Sequence, residues 1–298
     1  MLIVACPGQG SQTPGFLAPW LEKYPDLQQT LDGLGTACNA DLIRLGTTAE
    51  EDEIKDTANA QRLIVGSSIG IYRAALREFK VDGVLGHSVG EFAAAAIAGV
   101  LSDADAMKLV GRRADAMASA AAEAATSMAA VLGGEESTVL ERLTELGLEP
   151  ANFNGAGQLV VAGPKSAVTS LLESPPERAR VIELKVAGAF HTSFMEGAKA
   201  PVQELVDGVE VSDPAISLWS NVDGQLVSRG SEFVASLVSQ ISNPVRWDKC
   251  MGSLAGSAAT LLELPPAGAL AGLIKRGVPD ATAIALKTPA DLEKVSNS

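Results

Sequence analysis

Val84-Leu85-Gly86-His87-Ser88-Val89-Gly90-Glu91-Phe92-Ala93-Ala94-Ala95-Ala96 decides how this chain is read. Val81 and the Val84-Leu85 pair make a short apolar strand, and residues 91–100 begin an Ala-rich helix. The Gly-x-Ser-x-Gly pentapeptide between them has the composition of a nucleophile elbow, a sharp strand-to-helix turn that exposes a serine. Glycines flank such a serine because side chains there would collide with the turn. The helix start aims its free amides and positive dipole end at the serine, where an oxyanion would develop. A glycine-rich turn with an incidental serine is the competing reading. The strand and helix on either side count against it.

Outward from the elbow, strands and helices alternate. Residues 2–6 read as a first strand, followed by the tight turn Gly8-Gln9-Gly10-Ser11-Gln12. No Lys-Ser/Thr pair follows that turn, so a P-loop is rejected, and a backbone N–H offered to an oxyanion fits it better. Amphipathic helices are predicted at 25–39 and 60–79, and a long one at 103–125 with Asp103, after Ser102, as its cap. From Ser127 the texture changes to a β-α-β-α-β run: strands at 128–132, 159–162 and 181–186, helices at 135–146 and 165–172. That run reads as a small ferredoxin-like subdomain, 126–188, inserted in a large α/β-hydrolase-like domain, 1–125 and 189–298. Helices at 195–206 and 232–241 and strands at 216–219 and 260–264 complete the large domain.

Composition bounds the setting. The chain of 298 residues is 47% hydrophobic, enough for a sizeable core, and no apolar run approaches the ~20 residues of a membrane span. Residues 1–6 lack a basic segment and read as strand, not as a signal peptide. Cys6, Cys38 and Cys250 are odd in number, far apart and in no metal-ligand spacing, so a reducing cytoplasm is expected and no metal site. The net charge of −13 argues against a nucleic-acid partner and requires a local basic patch for any acidic one. The oligomeric state is left open, a monomer being compatible with everything read.

A serine nucleophile needs a base, and the chain has only two histidines. His87 adjoins Ser88 on the elbow, and strand geometry turns its side chain away. His191 remains, in the glycine-led turn Gly188-Ala189-Phe190-His191-Thr192 at the lobe boundary. No histidine follows it, whereas ordinary α/β-hydrolases carry theirs near the C-terminus after an orienting carboxylate. On the long helix, Asp105, Lys108, Arg112, Asp115 and Ser119 form a polar stripe, while Arg113 falls among Leu109, Val110 and Met117 on the apolar one. An inward guanidinium must be paired. Its partner is either a buried carboxylate of the fold or the carboxylate of a substrate met by a bidentate fork.

Taken in order, six stretches resemble the malonyl-CoA:acyl carrier protein transacylases and the related polyketide synthase acyltransferase domains, over nearly the whole chain. They are Pro7 to Gln12, Gly86 to Glu91, Arg113, Asn152-Phe153-Asn154 with Gly157-Gln158, Gly188 to Thr192, and Asn243-Pro244-Val245-Arg246-Trp247. The resemblance implies a ping-pong reaction, in which malonyl-CoA acylates Ser88 and the phosphopantetheine thiol of an acyl carrier protein then takes the malonyl group. It implies His191 as base and acid, the amides of Gln9 and Val89 as the oxyanion hole, and Arg113 on the malonyl carboxylate. It further implies a backbone carbonyl at Arg246 that orients His191, and no tightly bound cofactor.

Phe190 in Ala-Phe-His accompanies malonyl selection in related polyketide domains. A ring beside the base leaves little room for an α-methyl group, although one methyl is worth only ~1–3 kcal/mol. Two departures stand out. Arg246 replaces the usual Gln, and Leu264-Pro265-Pro266-Ala267-Gly268 replaces a more glycine-rich turn. The alternatives are a serine hydrolase or thioesterase on the same dyad, and a non-catalytic carrier-binding subunit. For an acidic carrier, Lys185, Lys199, Arg246, Lys249, Lys275 and Arg276 are the candidate basic rim.

Overall fold

Two sheets organise the chain, for which a computed structural model describes residues 1–295. Its strands are β1 (Leu2–Cys6), β2 (Gly83–Gly86), β3 (Thr126–Gly133), β4 (Glu149–Gly155), β5 (Gln158–Pro164), β6 (Ala179–Leu184), β7 (Ser217–Trp219), β8 (Thr260–Glu263) and β9 (Thr282–Ala285). The first sheet runs β7-β2-β1-β8-β9, with every pair parallel. Its central strand is the apolar run Leu-Ile-Val-Ala-Cys, because a parallel strand buried on both faces has no polar side to present. Val4 pairs with Val84 on one side and Leu262 on the other. Parallel neighbours end side by side, so the turn after β1 and the elbow after β2 meet at one edge of the sheet.

Helices pack around that sheet. Asp103–Glu123 is capped one residue earlier than expected, by Ser102, whose hydroxyl accepts from the Asp105 N–H, so that Asp103 is the first helical residue. Thr57–Ala75 is capped by Asp56, earlier than expected, and Asp26–Cys38 ends at Asn39 in the left-handed conformation. The expected helix at 195–206 opens as a 3₁₀ segment, Ser193–Ala198, before Lys199–Val206. The one expected at 232–241 is Gly230–Ser239 followed by a 3₁₀ turn, Gln240–Ser242.

The second sheet runs β4-β5-β3-β6, with every pair antiparallel. Side chains alternate across it. Leu159 and Val161 pack under the helices Glu136–Leu146 and Lys165–Glu173, while Val160 and Ala162 pack toward Met117 and Phe190 of the neighbouring layer. Strand β4 is absent from the expectation. Pro150, two asparagines and Gly155 depress its strand propensity, and two register irregularities against β5 break its alternation. Tertiary pairing holds it instead: Phe153 donates to the Val245 carbonyl and Val245 to that of Ala151, each at 2.9 Å. The segment around 245 is thereby stitched along the second sheet, beside the cleft.

Candidate active site

Ser88 stands between β2 and the helix Gly90–Ile97 with φ at +53°, in the left-handed region that side-chain-bearing residues rarely adopt. The turn requires both of its glycines. A Cβ on Gly86 would lie 2.2 Å from the Gly90 carbonyl carbon, and one on Gly90 would lie 2.3 Å from the Cys6 carbonyl oxygen. Oγ comes to 2.7 Å from Nε2 of His191, which is buried and also has positive φ. His87 turns elsewhere, to Asn154 Oδ1 at 2.9 Å and edge-on to Trp247. Of the two histidines, His191 is the one in contact with the Ser88 hydroxyl.

Nδ1 of His191 donates to the Gln240 carbonyl at 2.8 Å. A carbonyl only accepts, so the ring proton sits on Nδ1 and the Nε2 lone pair faces the serine hydroxyl. Burial, and after it the charge of Arg113, push His191 down to about 3, which keeps the ring neutral and its Nε2 lone pair free at rest.

The carbonyl expected to orient this ring was that of Arg246, and here the structure corrects the reading. The Arg246 carbonyl opens the helix Trp247–Leu254, accepting from Lys249 N and Cys250 N. The Gln240 carbonyl accepts one backbone bond, from Asn243 N at 3.3 Å, and keeps its second acceptor position for His191 for a local reason. Four residues on stands Pro244, which has no N–H with which to continue a helical ladder. The Arg246 side chain pairs with Asp248 at 2.6 Å and lies over the Phe153 ring, away from the histidine.

Arg113 is 1% exposed, as its place in the apolar stripe requires. Its direct partners are amide oxygens: Gln61 Oε1 at 2.5 Å from Nη1 and Gln240 Oε1 at 3.4 Å from Nη2. Nε has no partner, and none of the ion pairs among the described residues includes Arg113. Burial pushes it down to about 10 against the pull of Glu91, so it is a cation at neutral pH. A structural pair with a touching carboxylate is thus not what the site contains.

Ser88, His191, Arg113 and Gln61 line one cleft of about 670 Å³, together with Gln9, Val89 and Phe190. The N–H groups of Gln9 and Val89 have no backbone acceptor among the turn and loop bonds of the described residues. The neighbouring turn is held by Gln12, whose Oε1 accepts from Gly10 N and whose Nε2 donates to the Ile54 carbonyl. Phe190 packs with Met117 and Met128 against the second sheet. Burial pushes the thiols of Cys6, Cys38 and Cys250 up, Cys38 to about 11, so none is poised as a nucleophile.

A model of the acyl transferase domain matches residues 4–290. The malonyl CoA-acyl carrier protein transacylase of Mycobacterium tuberculosis is 45% identical over the full length of both chains. This chain belongs to that family. The Escherichia coli K12 transacylase is 32% identical over 95% of each chain. Among solved structures, the M. tuberculosis transacylase superposes with a TM-score of 0.95 over 99% of each chain at 45% identity. A type II polyketide synthase acyl-carrier protein in complex with its malonyl-transacylase gives 0.92 at 29% identity, covering 100% of this chain and 99% of that one.

Four polar residues of this transacylase site were not singled out by sequence. Gln61 and Gln240 face Arg113; Asn221 Oδ1 accepts from the Ser88 N–H at 2.9 Å; Glu91 lies behind both Gln240 and Asn221. Pro244 was the available signal for Gln240; the others carry none, because their partners come from elsewhere in the chain. Of the expected rim, Lys185 and Arg276 line the cleft, joined by Lys55, which was not foreseen. Lys199 pairs with Glu196, while Lys249 and Lys275 are exposed and outside the lining. The altered turn at 264–268 leads through Gly268 into the helix Ala269–Gly277, whose first amides donate to Glu263. Among the described residues, no helix is long and apolar enough to cross a membrane, and no acidic, His or Cys cluster suited to a metal occurs.

Proposed function

We propose that this chain transfers a malonyl group from malonyl-CoA to the phosphopantetheine thiol of an acyl carrier protein through a malonyl-Ser88 ester. The observation that carries the reading is the 2.7 Å contact of Ser88 Oγ with neutral His191, in one cleft with a guanidinium that has only amides for partners. His191 Nε2 takes the hydroxyl proton as Oγ attacks the thioester carbonyl. The N–H groups of Gln9 and Val89 receive the oxyanion. As the tetrahedral intermediate collapses, the C–S bond breaks and the CoA sulfur leaves with the proton from His191. The carrier thiol then gives its proton to His191, attacks the ester, and Ser88 recovers its hydrogen from the imidazolium.

Arg113 pairs with the malonyl carboxylate, and Phe190 narrows the space beside it. That pairing has a second effect: it offsets the charge that depresses His191, so the base strengthens when the correct acyl group is bound. The transfer needs no metal and no bound cofactor. The sheet order β4-β5-β3-β6 supports a ferredoxin-like subdomain at 126–188. The parallel sheet with its elbow supports a hydrolase-like domain formed by the remainder. Lys55, Lys185 and Arg276 form the basic rim for the carrier, and the setting is cytoplasmic, with buried free cysteines. Fatty acid synthesis is the use that follows from the family, and polyketide synthesis uses the same transfer.

Rapid mixing with malonyl-CoA tests the reading. A burst of one CoA per protein, followed by turnover only when holo carrier is added, is the expected result. Steady release of free malonate without carrier would make the chain a hydrolase.

A further inference from the structure

Glu91 is 1% exposed on the first turn of the elbow helix and does not line the cleft, yet its carboxylate is the hub of the polar layer beneath it. Oε1 accepts from the Asn221 N–H at 2.7 Å, and Oε2 accepts from Gln240 Nε2 at 2.5 Å. Each partner continues to a reacting group. Asn221 Oδ1 accepts from the Ser88 N–H, and Asn221 Nδ2 donates to the Gly86 carbonyl at 2.7 Å, so both ends of the elbow are tied. The Gln240 carbonyl holds His191, and its Oε1 faces Arg113. Only one orientation of the Gln240 amide serves: its NH₂ meets Glu91 and Asn221 Oδ1, which leaves the oxygen for the guanidinium.

We propose that Glu91 is a positioning residue of the acyl-transfer site, one buried carboxylate that holds Ser88, His191 and Arg113 in register through Asn221 and Gln240 and sets the amide orientation that Arg113 meets. The proposal rests on the roles given to those three residues above. A buried carboxylate needs such an occupation, because removing its charge from water is costly unless donors replace the solvent. Burial pushes Glu91 up to about 8 against the partial pull of the Asn221 N–H and the Arg113 charge, yet neither oxygen faces an acceptor that could take a carboxyl proton. N–H donors on both oxygens are the pattern of the ionised form.

Glu91→Gln separates this role from plain packing. The new amide nitrogen meets a donor at either oxygen position. The Asn221 backbone N–H cannot turn, so the Gln240 amide flips and presents NH₂ to Arg113. Malonylation of Ser88 is expected to fall by about 10²-fold, the scale of an ~1 Å misplacement. Acetylation from acetyl-CoA, which makes no use of Arg113, should fall less, so the malonyl-to-acetyl ratio drops. The double variant Glu91→Gln with Gln240→Glu restores an amide–carboxylate pair in reverse and places a carboxylate against Arg113. It should recover acetylation to within a few-fold of the parent while malonylation stays low.

An unchanged malonyl-to-acetyl ratio in Glu91→Gln would overturn the proposal. So would a double variant that recovers neither rate, or two variants that both fail to fold, which would make the carboxylate a folding element. If the parent protein itself forms no malonyl-Ser88, it is the functional reading that fails. A parent that malonylates normally beside an indifferent Glu91→Gln fails this inference alone.

Discussion

The elbow at 83–92 and the segment at 239–247 do equal work on the dyad, and only the first announces it in its residues. The elbow places Ser88 by local means. Gly86 and Gly90 are required by contacts of 2.2 and 2.3 Å with adjoining backbone, so the pattern Gly-x-Ser-x-Gly is the geometry written out. The segment places His191 through a backbone carbonyl, and every residue has one. What distinguishes Gln240 is that only one downstream donor, Asn243 N at 3.3 Å, reaches its oxygen, because Pro244 cannot add a second; Arg246 already accepts from both Lys249 and Cys250. Side-chain roles are spelled by residue type, whereas carbonyl roles are spelled by which donors are missing.

The comparison breaks most severely at Ser88. Ser88→Ala should abolish malonyl-enzyme, since the remaining thiols are buried and held as neutral SH. Intact-mass measurement that still finds the malonyl adduct, mapped to another residue, would remove the elbow from the chemistry. His191→Ala should slow acylation by roughly 10²–10⁴-fold. His87→Ala, which loses the Asn154 bond and the Trp247 contact, should act through stability. Equal kinetic losses in two well-folded variants would undo the choice between the histidines.

Pro244→Ala sharpens the contrast between the two carbonyls. It supplies an N–H that competes with His191 for the Gln240 oxygen, so acylation should slow several-fold while stability changes by under ~1 kcal/mol. Arg246→Gln, which touches only the Asp248 pair and the Phe153 stack, should leave acylation unchanged. The reverse ranking in stopped-flow acylation would return the orienting role to Arg246.

The smallest effect is one of pH. With His191 held near 3, the base stays competent well below the ordinary histidine value of ~6.5, so kcat/KM should stay flat to about pH 5. Stability should behave oppositely. Between about 6.5 and 3 the unfolded chain binds a proton that the folded chain refuses, so the contribution of this group falls as pH drops through that window. A rate profile with its acid limb centred at the ordinary histidine value would show that the ring is not buried as described.

Helical periodicity made Arg113 legible, because a period of 3.6 turns sequence position into direction. Its partners were not legible: Gln61 and Gln240 come from other helices, and only packing says which amide meets it. Strand β4 was hidden because Pro150, Asn152, Asn154 and Gly155 follow a role beside the cleft and not a strand propensity, and its pairing with Val245 is a long-range fact. Glu91 was in plain view in the deciding stretch. Its use depends on Asn221 and Gln240, far along the chain, and no local pattern could supply them.

The central claim is that the dyad performs the chemistry and Arg113 chooses the acyl group. Its most direct test is Arg113→Ala, assayed with malonyl-CoA and acetyl-CoA side by side and with the melting temperature recorded. A guanidinium that awaits a carboxylate predicts a steep loss of malonyl transfer, with acetyl transfer spared or raised as the pocket becomes neutral. Parallel loss of both activities together with a lowered melting temperature would make Arg113 a partner of the buried Glu91 layer and nothing more, and the selection of malonyl would have to be sought elsewhere.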